Sequence, residues 1–472
     1  MFTPNPYHYN KRPLSQTMDW WIVGCYLFLV FFGLLNIYAS VQGSESGDIL
    51  AWTNRSGKQF VWIMSSFAIA AVILFAIPPK KYETFAPLLY CITFVLLVAV
   101  IFIGSDVKGS HSWFTFGPVS FQPAEISKIT TSLMLATVMC RNSYRMRGKG
   151  FWITAGLILL PMLTIMAEKE TGSALVYIGF IFMLYREGFS GWLIAILGLV
   201  ILLFIISVTT SVFTSLLVLL ILVTLFDSVQ SEHTKLWLAA VPVFVGTAFI
   251  PDDYRTTVVL AEATLYLLWS ARMAFRNRKQ AFRWATVIVL GCGILFIFSA
   301  DFIFENVLKG YQRDRIEILL GMKDDLKGVG YNVHQSKIAI GSGGWIGKGF
   351  CQGTLTAYGF VPEQSTDFIF CTVGEEWGFL GCLTVILVYC LLIFRIIADS
   401  EHSRESFTRI YGYCLAGCLF MHLFINVGMT LGLMPVIGIP LPFMSYGGSS
   451  MWAFTIMLFI FVALNKNERK YF

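Results

Sequence analysis

Apolar runs long enough to cross a membrane follow one another along almost the whole chain, separated by short polar joints. They lie at 20–40, 59–77, 84–104, 123–141, 151–167, 173–185, 191–208, 211–227, 235–250, 256–274, 284–304, 367–396, 408–431 and 447–464. A crossing helix needs about 20 apolar residues, so the pattern predicts about fourteen crossings, several of them short. One long polar interruption, 305–366, breaks the rhythm before the run that opens at Asp367. A second polar joint, 432–446, is too rich in Pro and Gly to be helical and reads as a re-entrant or surface loop. The whole, 1–472, reads as a single all-α polytopic membrane domain.

Composition agrees with the pattern. The chain has 472 residues, 56% of them hydrophobic and 13% charged, with a mean hydropathy of +0.70. Soluble domains carry roughly 25% charged residues. The net charge of +6 is no nucleic-acid footprint, because the basic clusters sit between apolar runs. Lys11-Arg12, Lys80-Lys81, Arg141 to Lys149, Arg186, Arg272 to Arg283, Arg395 to Arg409 and Lys466 to Lys470 alternate as cytoplasmic joints. Both termini are therefore expected inside, and 41–58, 105–122, 168–172, 251–255, 305–366 and 432–446 outside. Trp20 to Ala39 follows Lys11-Arg12 and reads as an uncleaved signal anchor. Most of the ten cysteines lie in apolar runs and none forms a CxxC pair, which argues against zinc or redox chemistry.

The chemistry concentrates in Gln335 to Phe370, where Gly, Gln, Lys, Glu and Asp crowd together. Gly341, Gly343, Gly344, Gly347, Gly349 and Gly353 suggest a folded loop with close backbone approach. A P-loop is excluded because Ser342 and Gly349 stand where it needs Gly and Ser/Thr, and a dinucleotide motif fails at Ile346. No HExxH occurs, so neither a nucleotide nor a caged zinc is expected. Asp367 stands where water gives way to hydrocarbon, and an ionisable group there is a functional hypothesis by default. Gln335, Lys337, Gln352 and Glu363 accompany it as candidate substrate contacts. One carboxylate is too few for a glycosidase, but it suffices for glycosyl transfer from a lipid diphosphate, whose leaving group needs no acid. Lys, Arg or a divalent cation such as Mg or Mn would then neutralise the departing charge.

Elsewhere, Glu125 and Lys128 share one face of a helix entering the bilayer; a surface pair is the bland alternative. Trp113 reads as an interfacial aromatic. Glu168, Lys169 and Glu170 read as a solvated turn, and Tyr311 to Glu317 as a charged amphipathic stretch. Glu375 and Glu376, adjacent acids in a span, should face the bundle interior or be neutral.

The segments GSHSWFTFGPVSFQPAEISKI (109–129), YQRDR (311–315), HQSKIAIGSGGWIGKGFCQGTLTAYGFVPEQSTDFIF (334–370), GEEWGFLG (374–381) and GLMPVIGIPLPFMSYGGSS (432–450) resemble the SEDS family of cell-wall polymerases, in its elongation branch. The resemblance implies a SEDS-like helical bundle that polymerises lipid II outside the cytoplasmic membrane. It implies as partners a class B penicillin-binding protein and other elongation-complex membrane proteins. By position it implies Asp367 as the catalytic carboxylate, Trp113 as the tryptophan of the first outer loop, and Glu125 and Lys128 as the pair of the central cavity. Two departures stand out. Ser112 replaces the arginine usual before that tryptophan, and 205–280 adds about four helices to a ten-span fold. Those inserted helices are apolar and poor in charge, and are expected at the periphery as packing or a docking surface. A lipid-precursor flippase and a non-catalytic scaffold remain as rival readings.

Overall fold

The structure, a computed structural model, describes residues 18–42, 54–107, 110–116, 119–141, 144, 148–230, 244–276, 281–302, 304, 306, 313, 317 and 329–470. Its helices are α1 (Trp20–Val41), α2 (Arg55–Phe75), α3 (Lys80–Ile103), α4 (Pro123–Met139), α5 (Lys149–Ala167), α6 (Thr171–Val176), α7 (Phe180–Arg186), α8 (Trp192–Thr209), α9 (Val212–Gln230), α10 (Asp252–Arg276), α11 (Ala281–Phe302), α12 (Val329–Ser342), α13 (Thr354–Ala357), α14 (Ile369–His402), α15 (Ser406–Leu431) and α16 (Gly448–Lys470). Three short strands, β1 (Ser105–Val107), β2 (Ser110–Phe116) and β3 (Val119–Phe121), lie between α3 and α4.

Among the described residues, 10 helices are long and apolar enough to cross a membrane, so the chain is a multi-pass, all-α membrane protein. Helix stands at every other expected crossing too, except 235–250, most of which lies outside the described residues. The gap from about fourteen has a local cause. α4 has only 17 residues and is rich in Ser and Thr, 171–186 is broken by a 3-10 turn at Tyr177–Gly179, and the apolar stretch Ile194–Thr209 of α8 is short.

The chain forms two compact units, Met1–Ser190 with Asp325–Phe472, and Gly191–Asp324. In the first, α1 and α15 pack on α14, α2 on α16, and α4 on α3 and α15. Large tyrosines fill this interior, and the fully buried Tyr26, Tyr389 and Tyr411 each have a partner for the hydroxyl, as apolar surroundings demand. Tyr26 bonds Thr455 at 3.1 Å, Tyr411 donates to the Met457 carbonyl at 3.0 Å, and Tyr389 donates to the Pro442 carbonyl.

The glycine stretch resolves into two parts. Residues 329–342 are helical, not loop, because Ser336, Ala339 and Ile340 form a stripe that packs on α14. The loop proper, 343–353, seals a break in α14. Gly378 there has φ 64° and ψ −160°, which interrupts the helical ladder. The freed groups find partners in the loop: Phe379 N donates to Gly344 O at 2.9 Å, and Gly349 N donates to Glu376 O at 3.0 Å. Such contact needs bare backbone, since a Cβ at Gly343 would fall 2.0 Å from the Gly374 carbonyl oxygen and one at Gly347 2.1 Å from that of Glu376. The glycines thus serve backbone packing.

The polar joint 105–122 is a small antiparallel sheet, ordered β1-β2-β3, with Ser105 opposite Trp113 and Phe114 opposite Phe121. Gly109, Gly117 and Pro118, residues of the type that marks turns, lie outside the described residues. The unit Gly191–Asp324 has its own apolar core, including Leu216, Leu219, Leu220, Val259 and Leu290. Its buried Asp227 accepts from Tyr266 Oη at 2.8 Å and Thr286 Oγ1 at 2.6 Å, tying α9, α10 and α11 together. Of Tyr311 to Glu317, only Arg313 and Glu317 are described, as an ion pair at 2.7 Å.

Candidate functional site

Asp367 is half-buried at the last step before α14, on a turn that is pinned from every side. Glu363, at φ 56°, starts the turn; its carbonyl accepts from Thr366 N at 3.1 Å and Phe368 N at 3.2 Å. Gln364 donates to the Ser40 carbonyl at 2.6 Å, and Arg55 donates to Ser365 Oγ at 2.8 Å. The 432–447 loop closes the other side, with Tyr446 N donating to Ser365 O at 2.8 Å and Ser445 Oγ to Thr366 O at 2.6 Å. Asn426 of α15 donates to the carbonyl of Asp367 at 2.8 Å and to that of Ile439 at 2.7 Å. The carboxylate itself rests against Gly438, where an added Cβ would meet Oδ2 at 3.2 Å. A reactive group held by packed elements and second-tier hydrogen bonds keeps the narrow geometry that chemistry requires.

Behind the loop lies the expected charged pair. Glu125 and Lys128 are 2% and 1% exposed, with Lys128 Nζ 2.8 Å from Glu125 Oε1. Lys128 also reaches His422 Nε2 at 2.9 Å, and His422 Nδ1 lies 3.0 Å from the Pro440 carbonyl. The ammonium can only donate, so Nε2 accepts and Nδ1–H donates to Pro440. The pair thus abuts the loop that touches Asp367, and it faces neither lipid nor solvent. Lys128→Met should destabilise the protein by about 3–5 kcal/mol, because it leaves Glu125 buried without its cation. Thermal melting in detergent would measure the loss, and Glu125→Gln added to it should recover much of the stability.

The remaining expected residues divide. Trp113 is half-buried on β2, and its neighbour Ser112 donates to Glu170 at 3.1 Å. Gln122, just before α4, also donates to Glu170 at 3.1 Å. The turn carrying Glu170 meets the same loop, since a Cβ at Gly172 would meet Ile439 Cγ1 at 2.9 Å. Lys337 is exposed and lies over Gly432, where that loop begins. Gln335 is half-buried two residues earlier on α12. Glu363 accepts from Thr366 Oγ1 at 3.0 Å and shapes the turn that carries Asp367. Gln352 is held elsewhere, its carboxamide folded against Gly349 in the loop that seals the α14 break.

Sequence reasoning missed four residues here. His422 and Asn426 stand i,i+4 on α15, a polar stripe in an apolar helix that signals an inward face. Glu170 and Glu168 were expected in a solvated turn. Instead Glu170 collects hydrogen bonds, and Glu168 is 1% exposed with neither carboxylate oxygen hydrogen-bonded. Burial, and then the charge of Glu170, push the Glu168 pKa up to about 8. Glu375 is also buried, while the partly exposed Lys348 reaches its carboxylate at 2.6 Å.

A polytopic helical membrane protein with one pinned carboxylate at the mouth of a span is thereby defined. The FtsW/RodA/SpoVE family, described as "Cell cycle protein", matches residues 19–227 and 216–470, and the chain belongs to it. It is 31% identical to the peptidoglycan glycosyltransferase MrdB of Escherichia coli K12, over 90% of this chain and 88% of that protein. It is 30% identical to the peptidoglycan glycosyltransferase RodA of Treponema pallidum, over 95% and 98%. A probable peptidoglycan glycosyltransferase FtsW of Neisseria gonorrhoeae is less similar, at 25% over 98% and 86%. The elongation branch therefore fits better than the division branch. Among solved structures, the rod-shape-determining protein RodA of Thermus thermophilus shares the fold, with TM-score 0.56, 19% identity, and 97% and 99% of the two chains covered. So does a chain described under "Structural coordination of polymerization and crosslinking by a peptidoglycan synthase complex", with TM-score 0.60, 22% identity, and 96% and 98% covered.

Proposed function

We propose that the chain is a peptidoglycan glycosyltransferase of the RodA type, polymerising lipid II on the outer face of the cytoplasmic membrane, with both termini inside. The observation that carries this reading is 30–31% identity to two named peptidoglycan glycosyltransferases over at least 90% of the chain. The pinned Asp367 turn supplies the chemistry. Its carboxylate accepts the proton of the attacking sugar hydroxyl as the new C–O bond forms, and undecaprenyl diphosphate departs with the electron pair of the bond that breaks. Half-exposed Asp367 then returns the proton to water. Lys337, over Gly432 at the start of the loop, supplies a cation for the leaving diphosphate.

A magnesium or manganese ion would arrive with that diphosphate. Among the described residues, no group of three or more His, Cys, Asp or Glu is close enough to hold one alone. Magnesium commonly binds through one or two carboxylates plus substrate phosphates, a pattern that Asp367 can complete. Chelation should therefore lower the rate, and added Mg or Mn should restore it; a rate indifferent to the chelator removes the ion from the scheme. A class B penicillin-binding protein is the partner this reading favours, with other elongation-complex membrane proteins, since one structural neighbour is described in a polymerising and crosslinking complex. The test is labelled lipid II given to the purified chain with such a partner. Glycan strands support the proposal, whereas transbilayer movement of lipid II without strands would identify a transporter.

A further inference from the structure

The turn after α5 contains an orphaned acid and a strained neighbour in adjacent positions. Glu168 N donates to Thr164 O at 3.1 Å, Lys169 N to Met166 O at 3.0 Å and Glu170 N to Ile165 O at 3.2 Å, so the backbone is satisfied. The Glu168 side chain is not: it is 1% exposed, and both oxygens lack a hydrogen-bond partner among the described residues. Lys169, a non-glycine residue, is held at φ 64°. That left-handed step leaves the Lys169 side chain exposed while Glu168 is buried, so the ammonium next in sequence does not neutralise the acid. Strain beside an unsatisfied buried group is the kind of arrangement that persists at functional sites.

The turn belongs to the surroundings of Asp367. Glu170 gathers Ser112 and Gln122, Gly172 packs on Ile437 and Ile439, and Gly438 between these two rests against the Asp367 carboxylate. We propose that Glu168 is a substrate-binding residue whose carboxyl O–H donates to an oxygen of the lipid-linked sugar diphosphate, either phosphate or acetamido carbonyl. The inference rests on the glycosyltransferase reading above. An ionised Glu168 would repel a diphosphate, whereas a neutral carboxyl offers the donor that an oxygen-rich ligand requires. The turn itself carries Lys169 and Glu170, and the helices packed on α5 carry Glu125 and Lys128 (α4) and Lys80, Lys81, Tyr82, Glu83, Tyr90 and Cys91 (α3). Of these, Glu170 is the one that acts on Glu168, and like-charge repulsion adds to burial in favouring the protonated acid.

The test is lipid II polymerisation by the full chain with its partner, across pH 6.5–9.5. Wild type should show an apparent KM that climbs as pH rises through about 8, because the O–H donor is lost on ionisation. Glu168→Gln, which keeps a donor and cannot ionise, should hold KM near the wild-type value at pH 7 and abolish that climb. Glu168→Ala should raise KM about ten-fold with kcat little changed, as loss of one uniform binding contact does. Binding of undecaprenyl diphosphate separates the two oxygens: weakened binding by the alanine variant points to phosphate, and unchanged binding to the acetamido group. An alkaline KM climb that survives in Glu168→Gln overturns the inference, even if the alanine variant fails to fold. So does an alanine variant that folds and keeps the wild-type KM. Active Asp367→Asn protein would instead overturn the parent reading, whatever Glu168 does.

Discussion

Replacing Asp367 by asparagine is expected to reduce glycan polymerisation by roughly 10²–10⁴-fold, the usual effect of losing a general base. The fold should survive the change. Asparagine is nearly isosteric, and the contact that Asn426 makes at this residue uses the Asp367 backbone carbonyl, which the substitution leaves in place. The neighbours Ser365 and Thr366 are likewise held through groups other than the carboxylate. Expression, melting temperature and lipid II binding should stay near wild type while turnover collapses. Turnover and binding that fall together with melting temperature would instead point to a structural carboxylate.

A large effect on stability is also expected from Glu375→Gln. Oε1 of Glu375 accepts from Lys348 Nζ at 2.6 Å and from Thr354 N and Leu355 N at 2.9 Å each. Oε2 accepts from Thr356 N at 2.8 Å and Thr356 Oγ1 at 2.7 Å. An ionised carboxylate can take all of these; a carboxamide must turn its NH₂ toward one set of donors. Breaking a buried charge pair on one side costs about 3–5 kcal/mol, and the partial exposure of Lys348 favours about 3. The loop 343–356 would lose its anchor on α14. Thermal melting in detergent and protease nicking within that loop should both reveal it, and a variant matching wild type in both would show that the glycine contacts suffice alone.

Much of this was legible along the chain because hydropathy carries it. Every crossing with described residues announced itself as an apolar run, and Asp367 stood out as an acid where a long apolar run begins. Glu125 and Lys128 were legible through their i,i+3 spacing. What stayed hidden depends on partners distant in sequence. His422 meets Lys128 294 positions away, and no local pattern encodes that meeting. The glycines of 343–349 signalled close approach, but the broken segment of α14 that they approach is visible only in three dimensions. Residues 335–342 were expected as loop because their glycines outweighed the Ser336, Ala339, Ile340 stripe. Glu168 was misjudged as solvated because three charged residues in a row resemble an ordinary turn. Its burial follows from the buried stripe Thr154, Ile158, Pro161 and Ile165 of α5, which Glu168 continues three positions on.

The central claim is that Asp367 takes the proton in glycosyl transfer from lipid II. Its most direct measurement is the count of undecaprenyl diphosphate released per glycosidic bond formed, for wild type and Asp367→Asn with the partner present. Wild type should release one diphosphate per bond, and the variant should bind lipid II yet release almost none. Comparable release and strand growth by the Asp367→Asn variant would contradict the account.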